Sequence, residues 1–245
     1  MTRSSFTSHA RPTGALYLVI AVSGFFSILY VPSQLVVPGD PLATAQALAE
    51  RRAFFAWGVL GDVVMMTAEL LVSVMLFQMF RPWGETMALA AMVARLMMAS
   101  VMAAMLLMHA AVLGLSDPVA DALSSFSALQ RAELAQLLRE AHGAGVWVWQ
   151  VFFALHLLLL ARLVARAAVM PRGLGVALAL GGAGYALDSL RAFALPDMPG
   201  LPQIGIALLA VATLAEIGFA LLLVVKGPGL KGPSPAPFKA QTARA

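Results

Sequence analysis

Residues Val151–Phe193, VFFALHLLLLARLVARAAVMPRGLGVALALGGAGYALDSLRAF, decide the fold. The stretch reads as two apolar helices joined by a short basic turn carrying Arg162, Arg166 and Arg172. Each helix is about the length that crosses a hydrocarbon core about 30 Å thick. Polar residues sit inside them: His156 in the first, Asp188 and Arg191 in the second. A soluble core rarely has this pattern, whereas a membrane hairpin does, and the polar residues then need a reason to be there.

Composition points the same way. Of 245 residues, 61% are hydrophobic and 11% charged, and the mean hydropathy is +0.87. A soluble domain is about 45–50% apolar and about 25% charged, so this chain cannot cover a water-facing surface. The absence of cysteine excludes disulfides, thiolate metal sites and cysteine nucleophiles. A formal charge of +4 and a pI near 10.0 resemble a nucleic-acid signal. The basic residues, however, gather at helix ends, as membrane topology requires, and no nucleic-acid partner is expected.

Working outward from the hairpin gives six spans, at about 14–37, 53–80, 85–115, 145–168, 174–195 and 203–225. The first apolar run is longer than the core of a signal peptide and lacks a small-x-small cleavage site, so it reads as a retained span after a cytoplasmic arm, 1–13. Pro38-Gly39-Asp40-Pro41, Arg81-Pro82-Trp83-Gly84 and Pro171-Arg172-Gly173 are turns. The polar segment 119–143 carries Leu123, Phe126, Leu129, Leu134, Leu137 and Leu138 near helical spacing, which predicts an amphipathic helix outside the hydrocarbon. The Pro- and Gly-rich tail 227–245 is expected to be disordered and cytoplasmic. The fold class is therefore all-α: a polytopic membrane helix bundle of six transmembrane helices plus an amphipathic extramembrane helix.

Ten Lys and Arg residues fall on the side of the N-terminus, Arg81, the Arg162–Arg172 turn and the tail, and five on the other. The remaining one, Arg95, lies within the third span. The positive-inside rule then puts both termini in the cytoplasm.

Asp62, Glu69, Arg95, Asp188 and Glu216 lie inside spans, where a charged group costs at least about 2.5–3.5 kcal/mol. Glu69 and Arg95 each sit about eleven residues from the Arg81–Gly84 turn, so both lie about 16 Å deep. An ion pair between them is sterically reasonable. His156 and Glu216 fall at similar depth, which places four ionisable residues from four helices in one layer. Two readings stay open. In one, Glu69–Arg95 and Asp188–Arg191 are structural pairs that fix register, and His156 and Glu216 satisfy each other or a backbone carbonyl. In the other, the layer lines a cavity for a proton, ion or polar ligand.

Known chemistry templates fail. GxSxG, P-loop, Rossmann and HExxH patterns are absent. Gly181-Gly182-Ala183-Gly184 lies inside a span and reads as a surface for close helix packing. His109 and His142 lie near the outer ends of their helices and could meet there, but nothing else supports haem or a metal. The methionines of the third span read as adaptable packing. No catalytic residue, metal site or cofactor is assigned.

The runs VPGDPLATAQALAERRAFFAWGVLGDVVM (Val37–Met65), FFALHLLLLARLVARAAVMPRGLGVALALGGAGYALDSL (Phe152–Leu190) and, more weakly, EIGFALLLVVKG (Glu216–Gly227) resemble the bacterial membrane family DUF4386, a domain of unknown function. FFxLHLLLL, PRxLGxxL and GxGYxxDSL carry the likeness in combination. The resemblance implies an integral protein of the bacterial inner membrane and names no reaction. It highlights Asp40, Asp62, His156, Pro171, Arg172, Gly175, Gly184, Tyr185, Asp188 and Glu216.

The sequence thus leads to a non-enzymatic structural or regulatory bundle with paired intramembrane charges. The alternatives are a small transporter or ligand-binding protein, or an intramembrane enzyme. Glu69, Arg95, His156, Asp188, Glu216, Asp62, Tyr185 and Arg191 are the candidate ligand or proton-path residues. The lipid bilayer is the expected partner, and a homo-oligomer or another membrane protein is left open.

Overall fold

A computed structural model describes residues 5–116, 123 and 125–230. The described residues are mostly helical, with no strand among them. The elements are α1 (Ser5–Gly24), a π-helical segment (Phe25–Tyr30), α2 (Val31–Leu35), α3 (Pro41–Glu50), α4 (Arg52–Phe80), α5 (Glu85–Leu115), α6 (Ala128–Ala167), α7 (Arg172–Ala194) and α8 (Leu201–Val225). Six helical stretches are long and apolar enough to cross a membrane: Phe6–Leu35, Arg52–Trp83, Glu85–Leu115, Ala128–Ala167, Arg172–Ala194 and Leu201–Val225.

Local chemistry sets the breaks. Asp40 caps α3 by accepting from the Ala43 N–H at 2.9 Å, and Pro41 occupies the first turn, where a missing N–H costs nothing. Gly84, at φ +157°, turns the chain between α4 and α5 in a conformation that disfavours a side chain. Ser127 and Gln130 form a reciprocal capping box at the start of α6.

Two boundaries differ from the sequence reading. The amphipathic stretch is not a separate helix, because residues from Ala128 onward run without a break into the fourth span. At about 1.5 Å per residue α6 is roughly 60 Å long, so one end projects well beyond the hydrocarbon. There α3 packs on it, and Leu48, Val112 and Ala135 form a small outer cluster. The helix that carries the first span also begins before residue 14. Helix α1 passes through Arg11 and Pro12, which read as the aqueous arm. Of the expected tail, 227–245, Gly227–Gly229 form a short 3-10 helix and the part from residue 231 on lies outside the described residues, as does part of the polar 117–124 connection.

The spans close into a ring. Helix α1 packs on α4, α4 on α5, α5 on α6, α6 on α7, α7 on α8, and α8 back on α1. One end of the ring gathers Phe6 against Phe80 and Trp83, and Arg11 Nε donates to the Val224 carbonyl. The outer faces are apolar: Val22, Phe25, Trp57, Leu107, Ile206 and Leu214 are all exposed. Such an inverted surface suits lipid.

The glycine run does the packing expected of it. A Cβ on Gly181 would lie 2.7 Å from Ala212 Cβ, and one on Gly184 2.6 Å from Leu208 Cβ, so both glycines let α7 lie directly against α8. Gly182 faces the other way, toward Ala154 and Leu158 of α6. Overpacking of this kind costs about 1–3 kcal/mol. Gly181→Val and Gly184→Val are each expected to lower the thermal unfolding midpoint of the detergent-purified protein. Gly173→Ala, with no atom within 4 Å of the added carbon, should leave it unchanged.

Candidate functional site

The centre of the ring is built around one guanidinium. Arg95, on α5, is 0% exposed. Its Nε donates to Glu69 Oε2 of α4 at 2.6 Å, completing the ion pair that equal depth predicted. Its Nη1 donates to the Tyr17 hydroxyl of α1 at 2.9 Å and lies 3.0 Å from His156 Nε2 of α6. The guanidinium also stacks over the rings of Tyr17 and Phe153, 4.8 and 5.5 Å from their centroids. One side chain therefore joins four helices.

The geometry fixes the histidine. His156 Nδ1 lies 2.8 Å from the Ala91 carbonyl oxygen, one turn before Arg95. A carbonyl only accepts, so Nδ1 carries the proton and donates. Nε2 then presents its lone pair to Arg95. With both ring nitrogens occupied, His156 is a strut between α6 and α5.

The remaining two helices reach this layer through rings. Phe219 of α8 meets Tyr17 edge-on at 5.5 Å, and Tyr185 of α7 meets Phe153 edge-on at 5.0 Å. Glu216 of α8 does not join the network. It makes no hydrogen bond or ion pair among the described residues, and it lines a lateral groove of about 490 Å³ together with Tyr17, Trp149 and Tyr185. Of the two partners the sequence left open for His156, Glu216 or a backbone carbonyl, the structure gives a carbonyl, that of Ala91, with Arg95 on the other ring nitrogen.

The other candidates lie elsewhere. Asp188 and Arg191 pair at 3.0 Å within α7, one turn apart and partly exposed. Beside them Ser189 donates to the Trp147 carbonyl and ties α7 to α6. Asp62 is buried, with His109 Nδ1 3.8 Å away. The His109 and His142 rings stack at 3.5 Å, and His142 Nδ1 bonds the Met105 carbonyl. These three residues and Arg139 line a second cavity of about 210 Å³. Among the described residues, no group of three or more His, Asp or Glu side chains is placed to hold a metal ion.

Tyr17 and Phe153 were not legible as partners of Arg95. Counted from a span beginning at residue 14, Tyr17 looks interfacial. Counted from Ser5, the first described residue of α1, it lies at the depth of Glu69 and Arg95.

The family described as "Domain of unknown function (DUF4386)" matches residues 13–227. No match was found among curated proteins or among solved structures.

A hydrogen bond to a charged group contributes about 1.5–3 kcal/mol net. Tyr17→Phe keeps the ring over Arg95 and removes the acceptor, so it should destabilise the purified protein by an amount in that range. Tyr30→Phe, at an exposed ring, should have no measurable effect in the same denaturation assay.

Proposed function

The chain belongs to the DUF4386 family, and we propose that it is a non-enzymatic bundle of the bacterial inner membrane whose midplane charges fix helix register instead of reacting. The observation that carries this reading is the condition of Arg95. It is wholly buried, neutralised by Glu69, and held on the other side by the Tyr17 hydroxyl and by an imidazole whose second nitrogen is bonded to the Ala91 carbonyl. A proton-path or catalytic group needs a free valence and a route for its partner. His156 is 1% exposed and has neither. The role that suits such a body is structural or regulatory, with lipid as its constant partner.

The network also works as a register device. Sliding any one of α1, α4, α5 or α6 by one residue rotates its polar group about 100° away from the centre and strands a charge in hydrocarbon. An apolar interface would tolerate such a slip far better.

We further infer that the ring end carrying Arg11, Arg81, Arg162, Arg166, Arg172 and Lys226 faces the cytoplasm. All six are exposed, and the rule that places basic loops inside supports the assignment. A fluorescent protein fused after the C-terminal end should be bright and alkaline phosphatase fused there should be inactive. The reverse pattern would invert the topology.

The register role predicts strong coupling. Removing one member of a buried pair typically costs about 3–5 kcal/mol, because the other is left uncompensated. Glu69→Ala should therefore cost far more with Arg95 intact than in an Arg95→Met background. Additive effects on the stability of the purified protein would refute the pairing as the organising element.

A further inference from the structure

The midplane layer holds one guanidinium and two carboxylates, and only one carboxylate is paired. Asp62 lies near His109 and Asp188 is matched by Arg191, so neither balances the layer. The proton of His156 sits on Nδ1 against a carbonyl, so the ring adds no charge. Glu216 is left over, in a groove that opens sideways between α1 and α8.

The groove is suited to a hydrophobic guest. Its volume, about 490 Å³, is in the range of small-molecule sites. Phe25 and Leu29, both exposed, line it from the π-helical segment, which packs on α4. Isolated π-helical turns recur at functional positions. Tyr17, Trp149 and Tyr185 line the groove together with Glu216, and the Trp149 and Tyr185 rings lie 5.7 Å apart. The Tyr185 hydroxyl, like Glu216, makes no hydrogen bond among the described residues.

Aromatic faces around a carboxylate in a low-dielectric pocket recognise a cation whose own charge is spread over an apolar body. A hydrated inorganic ion would have to shed its water in hydrocarbon, and a phosphate headgroup would meet the wrong sign. We propose that the groove between α1 and α8 binds a lipophilic monovalent cation that enters from the bilayer and pairs with Glu216. Arg95 stacks over the Tyr17 ring and keeps Glu69 as its salt-bridge partner, so the guest pairs with Glu216 without competing for Glu69. This goes beyond the structural reading of the bundle, since the Arg95 lock can stand whether or not the groove is filled.

The test is equilibrium dialysis of radiolabelled tetraphenylphosphonium against the full chain in zwitterionic lipid nanodiscs, with empty nanodiscs subtracted. The expected result is one saturable site per chain, a loss of affinity of tenfold or more in Glu216→Gln, and no change in Asp62→Asn, outside the groove. Tetraphenylborate, the same shape with the opposite charge, should not bind saturably. Leu29→Trp keeps every charge and narrows the groove mouth. It should weaken binding also, and it serves if Glu216→Gln does not yield folded protein. Saturable binding that is equal in wild type and Glu216→Gln, or equal for cation and anion, would overturn the proposal. So would the absence of saturable binding to folded wild-type protein.

Discussion

A guanidinium in the middle of a hydrocarbon layer has to be neutralised and hydrogen-bonded by the protein, because lipid offers neither water nor counter-ion. Arg95 imposes that requirement on the whole chain. Glu69 must reach its depth from α4, Tyr17 from α1 and His156 from α6, and all three must point to the ring axis together. Phe153, Phe219 and Tyr185 then fill the space around the charges with aromatic faces and edges and bring in α7 and α8. The bundle is polar at its centre and apolar on its outside.

The packing that surrounds this centre is set by small residues, not large ones. Gly181 and Gly184 bring α7 against α8, and Gly14 lets α1 approach the Ala220 carbonyl of α8. Helices cannot gain from the hydrophobic effect when their solvent is itself hydrocarbon, so close backbone approach and interhelical hydrogen bonds carry the association. The groove containing Glu216 is lined by the second half of α1 and by the π-helical segment that follows it.

The spans were legible because a run of twenty apolar residues has few other uses. The Glu69–Arg95 pair was legible for a different reason. Both residues flank one turn, so their depths could be counted from a shared origin. Tyr17 escaped that count because Arg11-Pro12 looks like an aqueous boundary, whereas the helix continues through it. A backbone carbonyl was one of two partners open to His156, but which carbonyl it is leaves no mark in a sequence. Asp62 read as a charge inside a span without a partner, and its neighbour is His109, near the far end of α5. The continuity of α6 was hidden by a change from amphipathic to uniformly apolar composition, although a helix has no need to stop where its solvent changes. Nothing in FFSILY, residues 25–30, marks a π-helical turn.

The central claim is that Arg95 sits in a dry, closed network. Nitrogen-15 NMR of the arginine side chains in nanodiscs reads this directly, through the rate at which each Nε–H exchanges with solvent. The Arg95 Nε–H, bonded to Glu69 and shut away from water, should still give a signal hours after transfer to D₂O, when those of exposed Arg81, Arg166 and Arg172 have vanished. Disappearance of the Arg95 signal as fast as theirs would mean that water reaches the layer, and the register account would fail.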